Sequence, residues 1–108
     1  MANTFKNAYY DVTTSLAAAY TCPGSTTAIV LTLRITNVDG AAYATIDATV
    51  TDASSGESYI AYTLTVPADS SVELAGTSKI VLETGDKIQL KGSAASDLEA
   101  FISVLQIT

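Results

Sequence analysis

The sequence predicts an all-β fold, a two-sheet antiparallel β-sandwich of jelly-roll-like design with about eight short strands. Three observations predict it. Apolar residues recur with the period of two that marks strands, and helical spacing is hard to find. Thr, Val, Ile and Tyr, which favour strands, are abundant along the whole chain. Turn residues interrupt the apolar runs at intervals of about 8–12 residues, as in sandwiches and barrels.

The first two segments, "TFKNAYYDV" and "TSLAAAYTC", both read as extended. Tyr9 and Tyr10 are adjacent, so in a strand they point to opposite faces. One of them then lies outside the core unless something covers it. Tyr is enriched at protein interfaces, which makes Phe5, Tyr9 and Tyr10 the candidate oligomer or partner interface. In the second segment Leu16, Ala18 and Tyr20 share a register. Its alanines suit a helix, but the polar residues before it and Pro23-Gly24 after it leave no room for one.

"TAIVLTLRIT" alternates Ile29, Leu31, Leu33 and Ile35 against mostly polar positions, which predicts a half-buried strand with those four inward. Asn37-Val38-Asp39-Gly40 supplies a turn. "YATIDATVTD" places Ala44, Ile46, Ala48 and Val50 on one face, and Ser54-Ser55-Gly56 closes a hairpin onto "SYIAYTLTV". There Ile60, Tyr62, Leu64 and Val66 share a register, so Tyr62 is expected in the core. Pro67 has no N–H for a ladder and ends that strand. "SVELAG" reads as a short edge.

Ile80 and Leu82 face one way before Thr84-Gly85-Asp86, and Ile88 and Leu90 after it, so the three residues between form a turn. The last segment, "LEAFISVLQI", carries Phe101, Leu105 and Ile107 on one face and Leu98, Ile102 and Val104 on the other. Apolar residues on both sides predict a strand covered on both sides. No linker or shift in composition divides the chain, so residues 1–108 are expected to form one domain.

Composition narrows the function. Charged residues make up 15%, against about 25% in typical domains. The surface is therefore rich in Thr, Ser, Ala and Tyr, weakly solvated and suited to packing against other chains. The net charge is −6, and Lys6, Arg34, Lys79, Lys87 and Lys91 are dispersed, so the basic patch that drives nucleic-acid binding is missing. No stretch approaches the ~20 apolar residues of a membrane span, and the N-terminus lacks the basic-then-apolar order of a secretion signal. Synthesis in the cytoplasm, with no membrane partner, is the expectation.

Histidine is absent. That removes the commonest general base, the Ser–His pair and the usual zinc ligand. Cys22 has no histidine to activate it, cannot form an intramolecular disulfide, and reads as a small side chain at a strand end. Asp39, Asp47 and Asp52 lack the dense oxygen spacing of a calcium loop and read as solvated positions. Glu83 and Asp86 flank the turn, where nothing separates their pKa values as an acid/base pair requires. No catalytic residue, metal site or cofactor is expected, so the chain is read as a protein without enzymatic activity. A carbohydrate-binding module is a weaker alternative, because such sites favour exposed Trp and this chain has none.

Four stretches, "MANTFKNA", "AYTCPGSTTAIVLTLRITN", "KIVLETGDKIQLKGSAASD" and the ending "SVLQIT", resemble a family of small virion structural proteins of tailed bacteriophages, including phages of marine bacteria and cyanobacteria. The resemblance runs over most of the chain and is least characteristic in the middle hairpin. It implies a β-sandwich that assembles on the particle as a capsid decoration (cement) protein, or as a neck, tail or fibre accessory. It implies further copies of itself and the major capsid protein, or another virion protein, as partners. Decoration proteins often occupy threefold positions, which makes a homotrimer the expected assembly and the virion its location. The resemblance carries no catalytic residues.

Overall fold

The computed structural model describes residues 2–54, 56–75 and 79–108. Among the described residues there is no helix, and nine strands form. They are β1 (Asn3–Asp11), β2 (Ala17–Thr21), β3 (Thr27–Asn37), β4 (Ala44–Thr51), β5 (Glu57–Val66), β6 (Ser71–Glu73), β7 (Ile80–Leu82), β8 (Lys87–Gly92) and β9 (Leu98–Ile107). One sheet has the order β1-β9-β3-β6, with β7 also on β3, and the other has the order β2-β8-β4-β5. Every pairing is antiparallel. The two-sheet sandwich expected from the period of two is therefore the fold. Ser55 of the expected hairpin turn and Gly76 of "SVELAG" lie outside the described residues.

Each sheet turns one apolar face inward because successive side chains alternate. Val30, Leu33, Ile35, Leu98, Ile102 and Val104 meet Ile46, Ala48, Ile88 and Leu90 between the sheets, all of them at most 1% exposed. Burying each of the larger aliphatic side chains contributes roughly 1.5–3 kcal/mol. β9 runs between β1 and β3 along its length. Its even-numbered residues from Leu98 to Val104 are buried, whereas Phe101, Leu105 and Ile107 are only half-buried. Within one chain the cover expected on both sides of this strand exists on the inner side alone.

β3 departs from its expected register. The ladder to β9 shifts between Val30 and Thr32. An extra residue in a strand reverses which face the following side chains take. Leu33 and Ile35 are inward as expected, but before the bulge the inward residues are Ala28 and Val30, and Ile29 is turned out. The neighbouring edge is interrupted nearby, between β6 and β7. There the Leu33 N–H donates to Glu73 Oε2 at 2.7 Å and the Leu33 carbonyl accepts from Leu74 N at 2.8 Å. At Leu33 the Glu73 carboxylate thus takes the place of a ladder carbonyl.

Tyr62 corrects the expectation for β5. It is 70% exposed and meets Tyr59 edge-on, with ring centroids 4.9 Å apart. The pairing with β4 shifts between Ile46 and Ala48 and again between Ala48 and Thr49, so a single alternation does not survive along the strand. Near the first shift Thr63 adopts φ 51, and its N–H donates to Asp47 Oδ1 at 2.6 Å. Of the four residues expected on the inward face, only Val66 is fully buried; Ile60 is half-buried and Leu64 exposed.

Thr49 sits in the row between Gln89 of β8 and Tyr59 of β5. It is fully buried, and its hydroxyl has no hydrogen-bond partner among the described residues. An unsatisfied buried hydroxyl costs about 1–3 kcal/mol. Thr49→Val keeps the β-branched shape and removes that cost, so it is expected to stabilise the fold by about 1 kcal/mol. Urea unfolding checks this, and a loss of stability would show that the hydroxyl is satisfied in solution.

Candidate interaction surface

The positions with chemical potential resolve into structural roles. Gly85 has φ 87, and the Asp86 N–H donates to the Glu83 carbonyl at 2.9 Å, which closes a β-turn between β7 and β8. Those strands belong to different sheets, so the turn is a corner of the sandwich. Asp86 Oδ2 accepts from the Glu83 N–H at 2.9 Å, Cys22 N donates to the Asp86 carbonyl at 2.8 Å, and Gly85 N donates to the Cys22 carbonyl at 3.0 Å. The Thr84 hydroxyl accepts from Thr26 N at 3.1 Å and donates to the Thr26 carbonyl at 3.0 Å. Asp86 holds this corner with its carboxylate and Glu83 with its main chain.

Cys22 is 2% exposed, and its thiol donates to the carbonyls of Thr26 and Leu82 at 3.3 and 3.6 Å. Burial pushes the thiol above its ordinary pKa, which the Asp86 charge reinforces and a backbone hydrogen bond at Ala28 opposes. Such a thiol stays protonated and unreactive near neutral pH. Asp39 Oδ1 accepts from Ala41 N, and Asp52 Oδ1 from Ser54 N and Gly56 N, so both fasten turns. Among the described residues no three His, Cys, Asp or Glu side chains converge as a metal site requires.

One surface that gathers apolar side chains is the outer face of the β1-β9-β3 sheet; the exposed Tyr59, Tyr62 and Leu64 lie on β5 of the other sheet. Val81, Ile29, Leu105 and Phe5 are register partners in one row across β7, β3, β9 and β1. Asn3, Ile107 and Thr27 form the row on one side. Towards the other end Tyr9 pairs with Phe101, with ring centroids 5.5 Å apart. Phe5 is 73%, Tyr9 77% and Val81 58% exposed. Along β1, β9 and β3 the charged residues of this face are Asp11, opposite Glu99, and Arg34, which shares the row of Tyr9 and Phe101 and lies 3.8 Å from Glu73. With a strand spacing of about 4.8 Å and a rise of about 3.3 Å per residue, the uncharged part covers roughly 400–500 Å². The face is mixed: between the Phe5 and Tyr9 rows lies a polar row of Asn7, Ser103 and Thr32, where the Ser103 hydroxyl donates to Asn7 Oδ1 at 2.9 Å.

Of the residues singled out in the sequence, Phe5 and Tyr9 lie together on this face. Tyr10 turns to the inner side and packs against the core. The split between adjacent tyrosines follows from strand alternation. Ile29 and Val81 belong to the same face and were not visible in the sequence. Ile29 is placed there by the bulge, and Val81, which alternates with Ile80 and Leu82, is brought beside it by the β3–β7 pairing.

No family model and no curated protein matches this chain. Solved structures do. A chain from Bacillus endospore appendages, described as a novel family of disulfide-linked pili, superposes with a TM-score of 0.57 at 16% identity, covering 99% of this chain and 87% of that one. A chain from the acid-stable capsid of Helicobacter pylori bacteriophage KHP30 superposes with a TM-score of 0.55 at 11% identity, covering 100% and 89%. The protein shares their fold. At these identities the likeness speaks for architecture alone.

Proposed function

We propose that the protein is a non-enzymatic virion structural protein of a tailed bacteriophage, acting as a capsid decoration protein. The observation that carries the proposal is the outer face of the β1-β9-β3 sheet, which exposes Phe5, Tyr9 and Val81 and belongs to a fold that also occurs in a phage capsid. The sequence resemblance to virion proteins of marine and cyanobacterial phages supports the same reading. So does the strand order: with β6 and β7 counted as one interrupted strand, two four-stranded sheets exchange the chain as in a jelly roll.

In this reading the partners are other copies of the chain, arranged as a homotrimer, and the major capsid protein beneath them. The mechanism is mechanical. An interface of ordinary size, about 1,600 Å² in total, gives affinities from micromolar to picomolar. Repetition over a symmetric shell adds multivalent gain, which resists expansion under internal pressure. The likeness to pilus chains favours a second reading, a neck, tail or fibre accessory. A disulfide linkage like the one named for those pili has no accessible thiol here, because Cys22 is buried.

The deciding experiment counts this chain against the major capsid protein by mass spectrometry of gradient-purified particles. Hundreds of copies per particle support decoration. A few to a few tens move the protein to the neck, tail or fibres, and absence from particles overturns both readings.

A further inference from the structure

We propose that the free edge of β1 pairs with β1 of a second copy, antiparallel about a two-fold axis at Asn7, joining two sandwiches through one continuous sheet. The inference does not depend on where in a particle the protein works.

An unpaired strand edge is a template for another chain, and proteins usually blunt it by shortness, bulges or proline. The other edges here are blunted. β6 and β7 have three residues each. β2 has five residues and a register break between Ala18 and Tyr20. β5 is long but carries two register shifts and the positive φ of Thr63. β1 is less protected: it has nine residues without Pro or Gly, and its pairing with β9 is regular from Asn3↔Ile107 to Asp11↔Glu99, which leaves charge at Lys6 and Asp11 as its protection.

The orientation of its backbone follows from two bonds. Thr108 N donates to the Ala2 carbonyl at 2.9 Å, and Val12 N donates to the Leu98 carbonyl at 3.0 Å, at opposite ends of the β1–β9 ladder. Bonded and non-bonded pairs alternate in an antiparallel ladder. Even-numbered residues therefore bond to β9, and the N–H and C=O groups of Asn3, Phe5, Asn7, Tyr9 and Asp11 point to the free edge. The same five side chains lie on the outer face.

These groups suit a second β1. An axis at Asn7 is the arrangement that overlaps the whole strand. It places Phe5 across from Tyr9 of the second copy on both sides of the axis, and aromatic cross-strand pairs stabilise sheets. No like charges oppose each other: Asp11 meets Asn3, and Lys6 meets Ala8. The main-chain ladder supplies affinity, as in other β-augmented complexes. A threefold contact elsewhere on the surface would leave these edges free to join one trimer to the next.

Hydrogen exchange of the intact protein over a concentration series, read with sedimentation, tests the pairing. The amides of Phe5, Asn7 and Tyr9 are expected to exchange at least about tenfold more slowly as the mass doubles. Asn7→Pro removes an outward N–H at an edge position where proline is tolerated. It is expected to halve the mass of the assembly and, when both proteins are diluted to monomers, to keep the wild-type unfolding midpoint. Concentration-independent exchange at these amides overturns the proposal, as does an assembly that forms without protecting them. A trimer that protects them overturns the two-fold arrangement. If Asn7→Pro does not fold, the wild-type exchange series decides alone. Particle copy number plays no part in this test, so the edge pairing and the virion role fail separately.

Discussion

Deletion of residues 101–108 is expected to give insoluble protein. These residues make up most of β9, the strand between β1 and β3. Without them β1 loses its partner from Asn3 to Tyr9, and β3 loses its partner from Thr27 to Arg34. Ile102 and Val104, both at most 1% exposed, leave the core. The loss of two large aliphatic side chains alone is of order 3–6 kcal/mol, against the roughly 5–15 kcal/mol that holds a domain together. The strands left behind would also expose long unpaired edges, which aggregate. The check is the soluble fraction after expression. A soluble deletion variant that melts cooperatively would refute the assignment of β9 as the central strand.

The second large effect separates residues that look equivalent in the sequence. Leu33→Ala is expected to cost about 2–5 kcal/mol, because Leu33 is fully buried after the bulge opposite Ile102. Ile29→Ala, four residues earlier in the same apparent stripe, is expected to cost about 1 kcal/mol or less in the dilute monomer, since Ile29 lies on the outer face. Val30→Ala, outside that stripe but fully buried, should cost more than Ile29→Ala. Urea unfolding of the three variants at low concentration measures the order. Equal losses at Leu33 and Ile29 would mean that β3 runs in one register without a bulge.

Local alternation identifies buried residues where strands pair without a shift. Ala44, Ile46 and Ala48 alternate in sequence and are buried together, because the β4–β8 ladder runs without a register shift. Where neighbouring strands differ in length by a residue, as β3 and β9 do, alternation is read correctly on one side of the bulge and inverted on the other. Tyr62 was misplaced for the same reason, since two shifts against β4 separate it from the alternation that Ile60 and Leu64 suggest.

The exposed outer face was legible only in part. Phe5 and Tyr9 stood out because strand geometry forbids both of two adjacent tyrosines from entering one core. Their neighbours came from distant segments. Val81, Ile29 and Leu105 are separated by up to 76 residues, as Ile29↔Leu105 illustrates, and meet only through the strand order. Glu73 carries no motif, yet its carboxylate accepts the Leu33 N–H where the edge is interrupted.

By itself the sequence determined that the chain is built of strands, that they pack as a sandwich, that Thr84-Gly85-Asp86 is a turn, and that histidine-based chemistry is out of reach. These rest on residue type and short-range spacing, which act within a few residues. The tertiary structure alone decided which apolar side chains are core and which form an outer face, and which strand edge is left open. Those depend on register against a neighbouring strand, and in an antiparallel sheet one extra residue turns every side chain beyond it to the other side.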